Sequence, residues 1–230
     1  MSIEIVQLGM IDYDESLKLQ KRLVELKQAK VVNDILLLLE HPPTITYGRG
    51  ANVNNVLATK QQLEMVGIKT YFTERGGDVT YHGPGQIIGY TIFDLNNYEK
   101  DIRGFIRKLE CVFVQLLDSR YKISASSNPS YPGVWVQDEK ILSIGLAIKR
   151  CVTMHGFAFN VNTNLDHFSL IVPCGIIGKR VTSLSRQLGY TLDLSIIAQQ
   201  TVQEFCKVFD VECIVHGKNW ISEMNLLNIT

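Results

Sequence analysis

The chain has 230 residues, 46% of them hydrophobic and 20% charged, the composition of an ordinary globular protein and not of a disordered or fibrous one. Its 23 Lys and Arg balance 23 Asp and Glu, which argues against broad, sequence-independent binding to nucleic acid, where many phosphates must be neutralised. The densest aliphatic run, residues 35–39, is far short of the roughly 20 residues needed to span a bilayer, and the N-terminus has no signal-peptide pattern, so a reduced, cytoplasmic protein without a membrane partner is expected.

Residues 3–8 alternate apolar and polar and predict a strand. Asp12 and Glu15 have the spacing of a capping box for an amphipathic helix carrying Leu17, Leu19, Leu23, Val24 and Leu26. Residues 35–40 form a short continuous apolar run, as in a strand buried on both faces. His41-Pro42-Pro43 stops it, because proline lacks the amide donor a ladder needs. Further strands are predicted at 44–48, 69–73 and 87–94, with a short helix at 59–66 closed by Gly67. Residues 101–117 place Phe105, Leu109, Val112, Phe113 and Leu116 on one helical face. Strands follow at 134–137, 141–149 and 155–161, then a helix at 194–208 and a strand at 212–216. Runs of adjacent strands flanked by helices predict an α/β (α+β) fold, a single domain over residues 1–230 with a mixed, largely antiparallel sheet and a helical cap at its C-terminal end.

The most unusual stretch is Arg75-Gly-Gly-Asp-Val-Thr-Tyr-His-Gly-Pro-Gly-Gln86. Its glycines let backbone approach a ligand closely, and such a loop can present N–H groups to a carbonyl, carboxylate or phosphate. Arg75 supplies a fixed positive fork and His82 a donor or proton carrier. A plain hairpin with glycine turns is the competing reading. Neither a Walker loop nor a G-x-G-x-x-G pattern occurs, which disfavours a nucleotide site of either kind.

The five cysteines are Cys111, Cys151, Cys174, Cys206 and Cys213, with no C-x-x-C pair and no zinc spacing, so no metal is expected. Cys174, between Pro173 and Gly175, suits a sharp turn that exposes its thiol as a nucleophile, with a small buried hydrophobe as the competing reading. The other four fit packing positions. No spacing identifies a base for Cys174: His82 and His155 are both candidates, and Lys140 reads as a solvated turn lysine.

Three signatures in order make the chain resemble the lipoyl(octanoyl) transferases: RGGDVTYHGPGQ at 75–86, KILSIG at 140–145 followed by His155-Gly-Phe-Ala158, and PCGIIGKRVTSL at 173–184. Leu38-Glu40-His41-Pro42-Pro43 and Gly48-Arg49 also fit that family's early segment. The resemblance implies a fold similar to the catalytic domains of lipoate and biotin protein ligases. It implies an acyltransferase that moves an octanoyl group from acyl carrier protein to a lysine of a lipoyl domain, with no cofactor. The acceptors implied are lipoyl domains of 2-oxoacid dehydrogenases and the glycine cleavage H protein.

Residue by residue, the resemblance makes Cys174 the thioester nucleophile and Lys140 its partner. It places Arg75, Gly76, Gly77, Asp78, Val79, Thr80, Tyr81, His82, Ser143, Ile144, Gly145, Gly156, Phe157 and Ala158 around the acyl pocket. Cys151 and Met154 depart from the family's pattern near the pocket rim. Because the implied carrier is acidic, Arg49, Lys149, Arg150, Lys179 and Arg180 are expected to gather at the pocket mouth. The rival readings are an ATP-dependent lipoate–protein ligase, a cysteine thioesterase and a non-catalytic binder of acyl-carrier or lipoyl domains.

Overall fold

The computed structural model describes residues 2–173, 180–224 and 226. Strand β1 (Ser2–Met10) leads into α1 (Tyr13–Gln28), β2 (Asp34–Glu40) and β3 (Thr44–Tyr47). Then come α2 (Lys60–Met65), β4 (Lys69–Phe72), β5 (Val79–His82), β6 (Gln86–Ile92) and α3 (Ile102–Tyr121). The second half adds β7 (Ser126–Ser127), β8 (Gly133–Val136), β9 (Glu139–Lys149), β10 (Val152–Asn160) and β11 (Arg180–Val181). It ends with α4 (Leu184–Leu188), α5 (Leu194–Phe209), β12 (Glu212–His216) and α6 (Asn219–Glu223).

Among the described residues the main sheet runs β12-β1-β2-β6-β10-β9-β8-β7, with β11 also pairing β9. Pairs β12–β1, β1–β2 and β11–β9 are parallel and the others antiparallel, so the sheet is mixed and largely antiparallel, as the sequence implied. A small sheet, β4-β3-β5, stands beside it.

Strand periodicity explains the layers. Leu36 and Leu38 of β2 pack on one face with Phe105, Leu109 and Phe113 of α3 and Phe205 of α5. Ile35, Leu37 and Leu39 pack on the other with Leu19 and Leu23 of α1 and with Trp220 and Ile221 of α6. The continuous apolar run is therefore a strand covered by helices on both faces.

Three expectations need correction. The Asp12 side chain does not cap α1, because its carboxylate lies 3.5 Å from the Lys69 ammonium. The capping box belongs to α2, where Thr59 N–H donates to Gln62 Oε1 (2.8 Å) and Gln62 N–H to Thr59 Oγ1 (3.2 Å). The C-terminal part is no separate helical cap: β12 extends the main sheet in parallel with β1, and α5 stacks Phe205 and Phe209 into an aromatic cluster with Phe93 and Phe105. Cys206 and Cys213, expected as separate packing thiols, are joined as a disulfide between α5 and β12, their Cα atoms 6.2 Å apart. No helix among the described residues is long and apolar enough to cross a membrane.

Candidate active site

The glycine-rich segment is not one open loop, for β5 lies within it and pairs antiparallel with β3. The turn before β5 is pinned from two sides. Residues 48–50 hold it through Gly48 N–H to Asp78 O, Arg49 N–H to Arg75 O and Gly50 N–H to Gly77 O, at 3.2, 2.8 and 3.1 Å. From the other side Gly76 N–H donates to Leu146 O at 2.8 Å. β8 stops pairing with β9 at Ser143, so the glycine turn takes up the free edge beyond it. Gly77 has φ +86, in the left-handed region that favours glycine. A Cβ on Gly145 would stand 2.9 Å from Gly76 O, so only glycine lets β9 pass beneath the turn.

Two cavities share Gly76, Gly77, Asp78, Ile144 and Gly145 as walls. The inner one, about 60 Å³, is lined by Arg75, Thr80 and His82 of the glycine segment, Ser143 of β9, Gly156, Phe157 and Ala158 of β10, and by Tyr13, Tyr90 and His155. The outer one, about 340 Å³, is bounded by Lys140, Leu146 and Ile148 of β9, Ile102 and Ile106 of α3, and the Tyr131–Pro132 turn. That volume lies within the roughly 300–1,000 Å³ of small-ligand sites.

All the pocket residues named from sequence except Val79 and Tyr81 line one or both cavities. Val79 and Tyr81 point the opposite way along β5, into the small core with Ile45, Leu63 and Phe168, as strand alternation requires. Asp78 lines the cavities yet also works as a clamp: its carboxylate accepts from Asn52 N–H (3.1 Å), Val79 N–H (2.8 Å) and the Asn55 amide. Tyr13 and Tyr90, which sequence reasoning did not single out, enter the site through long-range pairing that no local spacing encodes. Cys151 and Met154 are not on the rim. Cys151 occupies the β9–β10 turn at φ +65, and Met154 is in the core beneath α1.

Arg75 is buried and donates to neutral oxygens, from Nε to Thr46 Oγ1 (3.0 Å), from Nη2 to Thr46 O (2.6 Å) and from Nη1 to Gly76 O (3.0 Å). The Thr46 hydroxyl hydrogen then faces His82 Nε2 at 3.3 Å, while His82 Nδ1–H donates to Gln86 Oε1 at 2.9 Å. Burial, His41 and the Arg75 charge hold His82 near a pKa of about 3. His41 donates from Nδ1 to Ile11 O and accepts at Nε2 from the Tyr90 hydroxyl, both at 2.7 Å, and burial lowers it to about 4. His155 adopts φ +62, its ring nitrogens have no hydrogen-bond partner among the described residues, and burial beside Arg75 lowers it to about 3. At neutral pH all three rings are uncharged, and the Arg75 guanidinium and Asp78 carboxylate are the charged groups of that lining.

Lys140 is 6% exposed. It donates to Pro132 O at 3.2 Å and lies 4.9 Å from the Trp135 ring centroid. Cys174 and Lys179 lie outside the described residues. On the near side, Val172 N–H donates to Asn55 O at 2.7 Å. On the far side, β11 runs parallel to β9 with Val181 opposite Lys140, and Thr182 N–H donates to Lys140 O at 2.9 Å.

Of the expected positive patch, Arg180 lies apart from Lys149 and Arg150. Arg180 is opposite Glu139 at one end of β9, whereas Lys149 ends that strand and Arg150 begins its turn. At about 3.3 Å per residue, those ends are roughly 33 Å apart.

A family model for the lipoyl protein ligase A/B catalytic domain matches residues 12–206. An octanoyltransferase of Desulforamulus reducens is 50% identical over 212 residues, covering 92% of this chain and 93% of that protein. One from Caldicellulosiruptor saccharolyticus is 49% identical over 225 residues, covering 97% and 96%. In fold the chain is similar to lipoate-protein ligase A bound with ATP, at a TM-score of 0.74 and 15% identity over 98% of this chain and 94% of that one. A sequence match of this extent identifies an enzyme: the chain belongs to the octanoyltransferases of the lipoyl protein ligase A/B family and is an acyltransferase of protein lipoylation.

Proposed function

We propose that the protein, working as one catalytic unit in the cytoplasm, moves an octanoyl group from acyl carrier protein to a lysine of a lipoyl domain through a thioester on Cys174, with Lys140 as the proton carrier. The acceptors in this reading are lipoyl domains of 2-oxoacid dehydrogenases and the glycine cleavage H protein. The observation that carries it is the placement of Lys140. A buried lysine faces a cavity wide enough for an acyl chain, and β11, which follows the Cys174 segment, pairs beside it.

In the first half-reaction the Cys174 thiolate attacks the carrier thioester carbonyl. The new C–S bond forms, the carrier C–S bond breaks, and the departing thiolate takes a proton from the Lys140 ammonium. In the second, the acceptor lysine amine attacks the acyl-enzyme, the amide forms, and the surplus amine proton returns to Lys140 as the Cys174 thiolate leaves. An ammonium about 4 Å from a thiolate is worth about 4 kcal/mol at an effective dielectric near 20, before desolvation is subtracted. The walls suit the cargo: Ile144, Leu146 and Ile148 line the outer cavity.

A thioester is already activated, so transfer is expected without nucleotide. Octanoyl carrier protein and an unmodified lipoyl domain, mixed with the enzyme in the absence of ATP, should yield the octanoylated domain by intact mass. Product only when octanoate and ATP are supplied instead would assign the chain to ligase chemistry. Free octanoate as the main product would assign it to thioester hydrolysis.

A further inference from the structure

Glu110, on α3, is 6% exposed, and no step above uses it. Its Oε1 accepts the Gly133 N–H at 2.9 Å. The carbonyl of the same peptide unit, Pro132 O, accepts from Lys140 Nζ at 3.2 Å. One peptide group thus stands between a carboxyl at its N–H end and an ammonium at its C=O end, its dipole aligned with both. Such chains of hydrogen bonds polarise one another at low local dielectric. Gly133 makes the arrangement possible: its φ is +136, and a Cβ there would come within 3.3 Å of Lys140 Cε. Trp135 adds to the frame by donating from Nε1 to Tyr131 O at 3.4 Å.

Resting on the role of Lys140 proposed above, we infer that Glu110 is a positioning residue, orienting Lys140 and favouring its ammonium form through the Pro132–Gly133 peptide. The charged groups that face Glu110 are Lys140 from β9 and Arg107 from its own helix, with Arg107 also paired to Asp101 at 3.1 Å. Burial raises the Glu110 carboxyl, and the Gly133 N–H, Lys140 and Arg107 each draw it back.

The test reads the Lys140 amine itself, by its pH-dependent reactivity toward acetic anhydride followed by peptide mass. Glu110→Gln keeps the volume and an amide oxygen for Gly133 N–H but removes the charge, so a purely structural role leaves the titration unmoved. The expected result is a Lys140 midpoint lowered by about one pH unit. Glu110→Asp, which keeps the charge, should hold the midpoint close to wild type. Without any variant, a ¹³C label at the Pro132 carbonyl of the wild-type protein should shift with the Lys140 midpoint. A Glu110→Gln midpoint equal to wild type, or a Pro132 carbonyl indifferent to that titration, overturns the inference. Neither readout depends on an acyl-enzyme, so failure here is distinct from failure of the Cys174 mechanism.

Discussion

Replacing Lys140 by alanine is expected to slow formation of the acyl-enzyme by about a thousandfold, within the roughly 10²–10⁴ that a positioned acid–base group contributes. Lys140 is the cation at the wall of the outer cavity on β9, so its loss removes both the charge that favours a thiolate and the proton for the departing carrier. The donor KM should change little, because apolar walls and the glycine turn hold the acyl chain. Iodoacetamide reactivity of Cys174 should then titrate close to the unperturbed thiol value of about 8.5 instead of lower. Lys140→Arg separates the two roles. A guanidinium keeps its charge but does not give up its proton near neutral pH. That variant should keep thiol reactivity at low pH yet turn over poorly. Alanine within threefold of wild type, or an unchanged alkylation profile, would remove Lys140 from the chemistry. Pro132 O and the Trp135 face also lose the contact with Lys140, so thermal unfolding of each variant serves as the control.

Stability should fall steeply as the solution is acidified below pH 6.5. His41, His82 and His155 have pKa values lowered to about 4, 3 and 3 in the fold by burial, against about 6.5 when unfolded. The unfolded chain therefore binds protons that the folded one refuses. The stability these rings contribute is fully present above pH 6.5 and is lost as pH falls toward their folded values. At about 1.36 kcal/mol per pH unit, each ring can account for about 2 kcal/mol between pH 6.5 and 5. The three are not additive, because His41 and His82 lie with ring centroids 6.1 Å apart and share the Tyr13–Tyr90 surroundings. Urea unfolding across pH 5–7 should show a clear fall of at least about 2 kcal/mol, in a window where ordinary carboxylates scarcely titrate. A flat profile there would mean that the rings are protonated in the folded enzyme.

Much of the scaffold is legible from residue pattern, and the exceptions have physical causes. β2 and α3 announce themselves because their apolar periodicity reports burial directly. β5 does not, since four residues between glycine turns carry little pattern, and its place is set by pairing with β3. Lys140 reads as a turn lysine because it follows Asp138-Glu139. The turn instead spans Gln137 and Asp138, with Gln137 at φ +53, so β9 begins at Glu139 and carries the lysine under Trp135 and β11. Only the resemblance pointed to it. The positive patch is split for the converse reason, as β11 brings Arg180 to the start of β9 while Lys149 and Arg150 lie at its end. Tyr13 and His155 meet the glycine segment only because α1 packs over β10 and the turn at 75–77 docks on β9.

The central claim is that Cys174 carries the acyl group, and intact mass tests it most directly. The wild-type enzyme is mixed with octanoyl carrier protein without acceptor and measured before and after peptide mapping. The expected result is one octanoyl adduct, located on Cys174, absent from Cys174→Ala and discharged by adding an unmodified lipoyl domain. An adduct that persists in Cys174→Ala, or transfer to the lipoyl domain at wild-type rate by that variant, would contradict the thioester mechanism outright.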